Sequence, residues 1–285
     1  MDPKSRPYRS VLYIPASKAR ALDKARTLPV DAIIFDLEDA VTPDEKPAAR
    51  ALLADTLHTG GFGDRMKIVR INGLDTPWGS DDVEAVANMA TDAILVPKVE
   101  TPQQLDAVAA ITGDLAIWAM METPRGMINA PTIAAHPKLR GMVMGTNDLA
   151  KELDSRYRPD RLAMMSGLGL CLLAAKAEGL VIVDGVYNAF KDETGLAAEC
   201  AQGRDMGFDG KTLIHPAQID VTNTAFAPSA DEVDLARRQI AAFEEIEATG
   251  QGVAVVEGRI VENLHVATAR DLLAKAKAIE SLQAG

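Results

Sequence analysis

The sequence predicts an α/β fold, a (β/α)8 TIM barrel carrying a C-terminal hairpin-helix lid or arm, on three observations. Eight β-rich runs recur along the chain. Most are nearly continuous apolar stretches without alternation, which is how parallel strands covered on both faces read. Their ends fall roughly 29 residues apart, the length of a βα unit. A doubly wound sheet is the rival, but no GxGxxG or GxxxxGK[ST] follows any strand, so its usual nucleotide signatures are missing. The 285 residues, 47% hydrophobic and 25% charged, suffice for a full core.

In order, the β runs are SVLYIP (10–15), AIIFDLE (32–38), KIVRING (67–73), AILVPKV (93–99), AIWAMME (116–122), GMVMGTND (141–148), LVIVDGV (180–186) and FDGKTLIHP (208–216). Helical patterns fill the seven gaps: KARALDKART (18–27), DEKPAARALLADTL (44–57), DDVEAVANMA (81–90), TPQQLDAVAAI (101–111), APTIAAHP (130–137), RLAMMSGLGLCLLAAKAEG (161–179) and TGLAAECAQGRDMG (194–207). After the eighth run, PSADEVDLARRQIAAFEEIEA (228–248) is an amphipathic helix whose Ser229, Asp231 and Glu232 suit a helix N-terminus. The register then changes. GQGVAVVEGRIVENLHV (250–266) reads as a hairpin turning at Glu257-Gly258, followed by a last helix. A catalytic barrel over 1–227 and an appended segment over 228–285 are the expected domains.

A net charge of −11 disfavours general affinity for nucleic acid or anionic membrane, so an anionic ligand requires a local basic patch. The N-terminus lacks the apolar core of a signal peptide and no apolar run approaches a membrane span, which makes a cytoplasmic location the expectation. Cys171 and Cys200 have no metal-ligand spacing and read as buried, inert thiols.

Barrel enzymes place chemistry at the carboxyl ends of their strands. Here those ends carry Asp36, Glu38 and Asp39; Arg70 and Asn72; Lys98; Glu122; Asn147 and Asp148; Asp184; Lys211 and His215. Carboxylates dominate, and without clustered His or Cys they suit a hard divalent cation such as Mg²⁺, with Mn²⁺ accepting similar ligands. Glu122 is the first charged side chain after a long apolar run, and Asp148 follows Gly145, where a missing side chain permits close approach. Each acid has a bland alternative: Asp148 before LAKEL could simply cap a helix. Arg70 in a barrel mouth requires a carboxylate partner, either a ligand or one of the acids at 36–39. His215 before Pro216 reads as a hydrogen-bonded strand-end histidine, and the Met-rich runs as core filler.

The set YIPASKARALDKA, DLEDAV, VRING, VPKVE, METPRG, GTNDLA and GKTLIHP resembles the citrate lyase β-subunit and malyl-CoA lyase family, Mg²⁺-dependent C–C lyases acting on acyl thioesters. The resemblance runs through the whole chain, tail included, and is closest to the branch that hydrolyses (3S)-malyl-CoA. It implies Mg²⁺ on Glu122 and Asp148, with Arg70 clamping the malyl carboxylate. It also implies a CoA moiety held by Tyr13, Lys18 and Lys24, with further contacts near Asn147. Glu38 and Asp39 become a supporting shell in the barrel mouth. The family's lyases carry an arm aspartate contributed to a neighbouring subunit; here GRIVEN puts Glu262 at that position, a candidate general base for hydrolysis. Such an arm implies a homo-oligomer, a trimer or hexamer by resemblance. The alternatives are C–C cleavage of malyl-CoA or citryl-CoA, and a non-catalytic acyl-CoA binding subunit.

Overall fold

The computed structural model describes residues 6–249 and 253–284, and these divide into a unit spanning Tyr8–Phe226 and a second, mainly C-terminal unit that runs from Ala227 and also takes in Arg6 and Pro7. In the first, strands and helices alternate: β1 (Ser10–Pro15), α1 (Ala19–Ala25), β2 (Ala32–Asp36), α2 (Lys46–Thr59), β3 (Met66–Arg70), α3 (Gly79–Val86), β4 (Ala93–Val96), α4 (Pro102–Thr112), β5 (Ala116–Met121), α5 (Pro124–Ile128), α6 (Ala130–Ala134), β6 (Leu139–Met144), α7 (Thr146–Glu152), α8 (Met165–Ala177), β7 (Val181–Asp184), α9 (Glu193–Met206), β8 (Gly210–Leu213) and α10 (Ile219–Phe226). All eight strands are parallel, and β8 pairs back onto β1, closing the barrel.

Two apolar layers explain the continuous hydrophobic runs. Successive strand residues point to opposite faces. Val11, Ile34, Ile68, Leu95, Trp118, Val143 and Val183 pack inside the barrel. Their neighbours Leu12, Phe35, Val69, Ile94, Ile117, Met142 and Ile182 pack outward with the helices. Along most of each strand neither face meets water; Arg140 of β6 is an exposed exception near a strand start. The same two-residue period carries the inward rows up to Tyr13, Asp36, Arg70 and Glu122 at the carboxyl ends, whereas Leu37 is buried with the outer layer. Register strengthens this: Asp36 lies directly beside Arg70 across the β2–β3 ladder.

Between β5 and β6 the register shifts at Ile117/Trp118, and Gly141 comes to lie opposite the fully buried Trp118. A Cβ at Gly141 would sit 2.5 Å from the indole, so the bulky ring dictates glycine there. One polar group interrupts the outer layer. Asp184 of β7 and Lys211 of β8, paired across the ladder, are fully buried beside Glu199 of α9 and Arg161. Lys211 reaches Asp184 at 3.2 Å and Glu199 at 2.5 Å, while one η nitrogen of Arg161 contacts both Asp184 oxygens at 2.7 Å. Burial opposes the charged forms, but the cations outweigh it and hold the Asp184 carboxyl below its ordinary range. Cys171 and Cys200 are buried free thiols, with burial pushing Cys171 up to about 12 and raising Cys200.

In the C-terminal unit, α11 (Ala230–Thr249) precedes a two-stranded hairpin, β9 (Val255–Val256) and β10 (Arg259–Ile260), and then α12 (Asn263–Ala284). Both turn residues have positive φ, 52° at Glu257 and 73° at Gly258, as a tight two-residue hairpin requires. Ala254, Val261 and Val266 form a small core with Phe243 and Ile246 of α11. The start of the expected hairpin, 250–252, lies outside the described residues. Among the described residues no helix is long and apolar enough to cross a membrane.

Candidate active site

A cavity of about 340 Å³ opens at the carboxyl ends of the strands, lined by Tyr13, Asp36, Asp39, Arg70, Met120, Glu122, Gly145, Asn147, Asp148, Val186 and Ile214 among others. Arg70 is its fixed cation. Its Nε and Nη2 donate to the two oxygens of Asp36 at 2.8 and 2.7 Å, a bidentate pair. Its Nη1 lies 2.8 Å from Glu38 and donates to Asp39 at 3.4 Å. Beneath it, the Tyr13 ring centroid is 4.9 Å from the guanidinium carbon. Of the three clustered acids, Asp36 is therefore spent on Arg70 and also accepts from the backbone of Glu38 and Ala40, which shapes the turn. Lys46 stiffens that turn from behind. Its ammonium donates to the carbonyls of Leu37 and Glu38 and to Asn72, whose amide in turn donates to Asp82.

Glu122 stands just past β5 and is 1% exposed. Oε1 accepts the backbone N–H of Lys98 at 2.8 Å. Burial, opposed by Lys98 and reinforced by Glu38, pushes its carboxyl up to about 7. Gly145 makes this position possible, because a Cβ there would run into the Glu122 side chain. Immediately after it, α7 delivers Asp148 in its first turn. The N-cap of that helix is Gly145, and Asp148 lies inside the first turn and not at the cap position. It faces Lys98, whose ammonium lies 3.7 Å from Glu38, 3.9 Å from Glu122 and 4.0 Å from Asp148. Burial disfavours that charge, yet Glu122, Glu38 and Asp148 together hold the Lys98 pKa above its ordinary value.

The arrangement passes a chemical test for a divalent cation. Among the described residues no three His, Cys, Asp or Glu side chains close into a metal cage. Two carboxylates that face a shared cation suit Mg²⁺, which retains several waters and needs few protein ligands. The carboxylate cluster is already holding one positive charge, that of Lys98.

The cavity brings together Tyr13, Arg70, Glu122, Asp148, Asp39 and Asn147. Asn147 is tied by reciprocal amide hydrogen bonds to Asn188. Lys18 and Lys24 do not line it: Lys18 pairs with Glu45 at 3.2 Å on the exposed start of α1, and Lys24 lies in that helix's last turn. Glu262 belongs to the C-terminal unit, where it precedes α12 and its backbone N–H donates to His265 Nδ1. His215 accepts the N–H of Ala217 and stacks on Phe190, a structural role. Sequence reasoning placed Lys98 at a strand end without assigning it a role; the Pro97-Lys98 step just past β4 was its visible signal.

Residues 9–216 match the HpcH/HpaI aldolase/citrate lyase family, and 163–279 match a family described as C-C bond lyase of the TIM-barrel fold. The chain belongs to the HpcH/HpaI aldolase/citrate lyase family. Within this family it is 68% identical over 284 residues to a (3S)-malyl-CoA thioesterase of Cereibacter sphaeroides, covering all of both chains. It is 34% identical to the citrate lyase subunit beta of Escherichia coli, over 96% of this chain and 95% of that one. A crystal structure of CitE from Mycobacterium tuberculosis, in complex with magnesium, acetoacetate and coenzyme A, superposes with a TM-score of 0.80 at 32% identity, covering 96% and 99% of the two chains.

Proposed function

We propose that this member of the HpcH/HpaI aldolase/citrate lyase family is a Mg²⁺-dependent thioesterase that hydrolyses (3S)-malyl-CoA to malate and free CoA. End-to-end identity of 68% with a protein of that name carries the reading. The buried Glu122, the neighbouring Asp148 and the anchored Arg70 support it chemically. In this reading Glu122 and Asp148 hold the cation, which when bound polarises substrate oxygens and stabilises developing negative charge.

The remaining steps fall to the chain's own residues. Arg70 is oriented by Asp36, and its long contact with Asp39, whose side chain is 65% exposed, is the one a substrate carboxylate displaces. Asp36 and Glu38 keep the guanidinium in place during that exchange. Tyr13 forms the floor under it. Lys18 and Lys24 supply positive charge on the first βα segment for the phosphates of CoA, the local patch that an acidic protein needs. Glu262, on an arm contributed within a homo-oligomer, takes a proton from water as the water oxygen bonds to the thioester carbon. The carbon–sulfur bond then breaks, and the proton held by Glu262 passes to the CoA thiolate, which restores the carboxylate.

The test is malyl-CoA with Mg²⁺, followed by a thiol reagent and a glyoxylate trap in parallel. Thiol released in proportion to malate, with no glyoxylate, is the expected result. Stoichiometric glyoxylate and acetyl-CoA would replace hydrolysis with C–C cleavage, the reading to which the citrate lyase relative points. Mg²⁺-independent binding with no product would make the chain a non-catalytic acyl-CoA subunit. A Glu262→Asp variant tests the proposed base: an unchanged product ratio at undiminished rate removes Glu262 from that role.

A further inference from the structure

Lys98 stands against the carboxylates of this site, Glu122 and Asp148, yet neither the family resemblance nor the hydrolytic reading gives it a role. Its backbone has φ 47°, a conformation that L residues other than glycine seldom adopt and that persists only where the surroundings impose it. Its peptide groups are held on both sides: Glu122 Oε1 accepts the Lys98 N–H at 2.8 Å, and the Gln104 amide donates to the Lys98 carbonyl at 3.2 Å. The main chain is thus fastened to one of the proposed cation ligands, while the side chain remains 47% exposed and has room to swing. Its ammonium stands between three carboxylates at 3.7, 3.9 and 4.0 Å, outside hydrogen-bond range of each. A strand-end lysine that merely pairs with an acid would make one short contact on a relaxed backbone. This one is centred among three negative charges.

We propose that Lys98 is the internal counter-ion of the cation site: its ammonium neutralises Glu38, Glu122 and Asp148 until a divalent ion displaces it, and the displaced ammonium then pairs with the anionic acyl group of the substrate. The inference rests on the reading that Glu122 and Asp148 hold the cation. Two positive charges within about 4 Å of the same oxygens repel strongly, so lysine and cation occupy the cluster alternately. Displacement costs the ammonium its three partners, and a substrate carboxylate replaces them. Cation and substrate therefore each favour the arrangement the other needs, which makes their binding cooperative and, by linkage, reciprocally so.

Mn²⁺ titrated by electron paramagnetic resonance, without turnover, reads this directly. Lys98→Met is expected to bind Mn²⁺ about tenfold or more tightly than the wild type in the absence of any organic ligand, because a competing charge is gone. Lys98→Gln should do the same, and Lys98→Arg, which keeps the charge, should stay within about threefold of wild type. L-malate should tighten Mn²⁺ binding by about tenfold in the wild type but by no more than about threefold in Lys98→Met, where no ammonium needs a new partner. Circular dichroism checks that each variant is folded, and Lys98→Gln stands in should Lys98→Met fail to fold. Glu122→Gln separates the counter-ion role from the ligand assignment. Weakened Mn²⁺ binding in Glu122→Gln, together with Lys98→Met and Lys98→Gln affinities within about twofold of wild type, overturns the counter-ion role alone. Unchanged Mn²⁺ binding in Glu122→Gln overturns the ligand assignment and the counter-ion role with it.

Discussion

Lys211→Met removes one cation from a buried cluster of two cations and two anions. Lys211 and Asp184 are fully buried and Glu199 nearly so, and the ammonium contacts both acids, so its loss leaves Arg161 to balance two carboxylates. Breaking a buried ion pair by removing one partner costs about 3–5 kcal/mol, most of it the penalty of the charge left behind. With unfolding entropy near 2.1 cal/mol/K per residue, a barrel unit of roughly 220 residues loses about 0.46 kcal/mol per degree, so a cost of about 4 kcal/mol lowers Tm by about 9 °C. Differential scanning calorimetry of the two proteins at pH 7 measures it. Adding Glu199→Leu to Lys211→Met should recover at least half the loss, since the stranded anion is gone and the gap is filled. A single variant within about 2 °C of wild type, or a double variant less stable than the single, would refute the account of this cluster as mutually dependent charges.

Three further outcomes follow from geometry already described. Gly141→Ala places a Cβ 2.5 Å from the Trp118 indole, and urea unfolding should show a loss of about 2 kcal/mol with shifted tryptophan fluorescence in the native state; an unchanged midpoint speaks against that contact. Arg70→Lys keeps the charge but loses the bidentate fork on Asp36, so kcat/KM for malyl-CoA should fall about 100-fold, and a fall below about threefold would contradict the clamp. Glu122 has its pKa raised to about 7 in the cation-free protein, so its contribution to stability is present below about pH 4.5 and is lost as pH rises through 7. A cation binds only the ionised form, so binding near pH 6.5 should release protons, seen as a calorimetric enthalpy that varies with buffer ionisation. An enthalpy independent of buffer would refute this.

The barrel was legible in the sequence because most strand residues are buried on both faces, which writes most strands as nearly continuous apolar runs. Boundaries were less clear where one residue serves two elements. The run GMVMGTND reads as strand through Asp148, yet β6 ends at Met144 and Thr146 already opens α7, since Gly145 separates them without breaking the pattern. Helix α10 was not anticipated at all: IDVTNTAF is rich in β-branched residues of low helix propensity, and packing on α9 and β8 holds it. For the site, Glu122 and Asp148 stood out as isolated acids after strands. Residue parity, which distinguishes Asp36 pointing inward from Leu37 pointing out, becomes visible only with the ladder register. The left-handed backbone of Lys98 and its three-way position have no signature in sequence, because they depend on segments 60, 24 and 50 positions away.

The burial of both cysteines also determines how activity is best followed. Cys171 of α8 and Cys200 of α9 are buried with thiols held in their unreactive form, so the folded protein contributes little colour to a thiol-trapping reagent and the signal reports released CoA. After denaturation the same two sulfurs react, two equivalents per chain. A single chromogenic titration thus reads turnover in native buffer and, with denaturant added, gives the chain concentration by which that turnover is normalised.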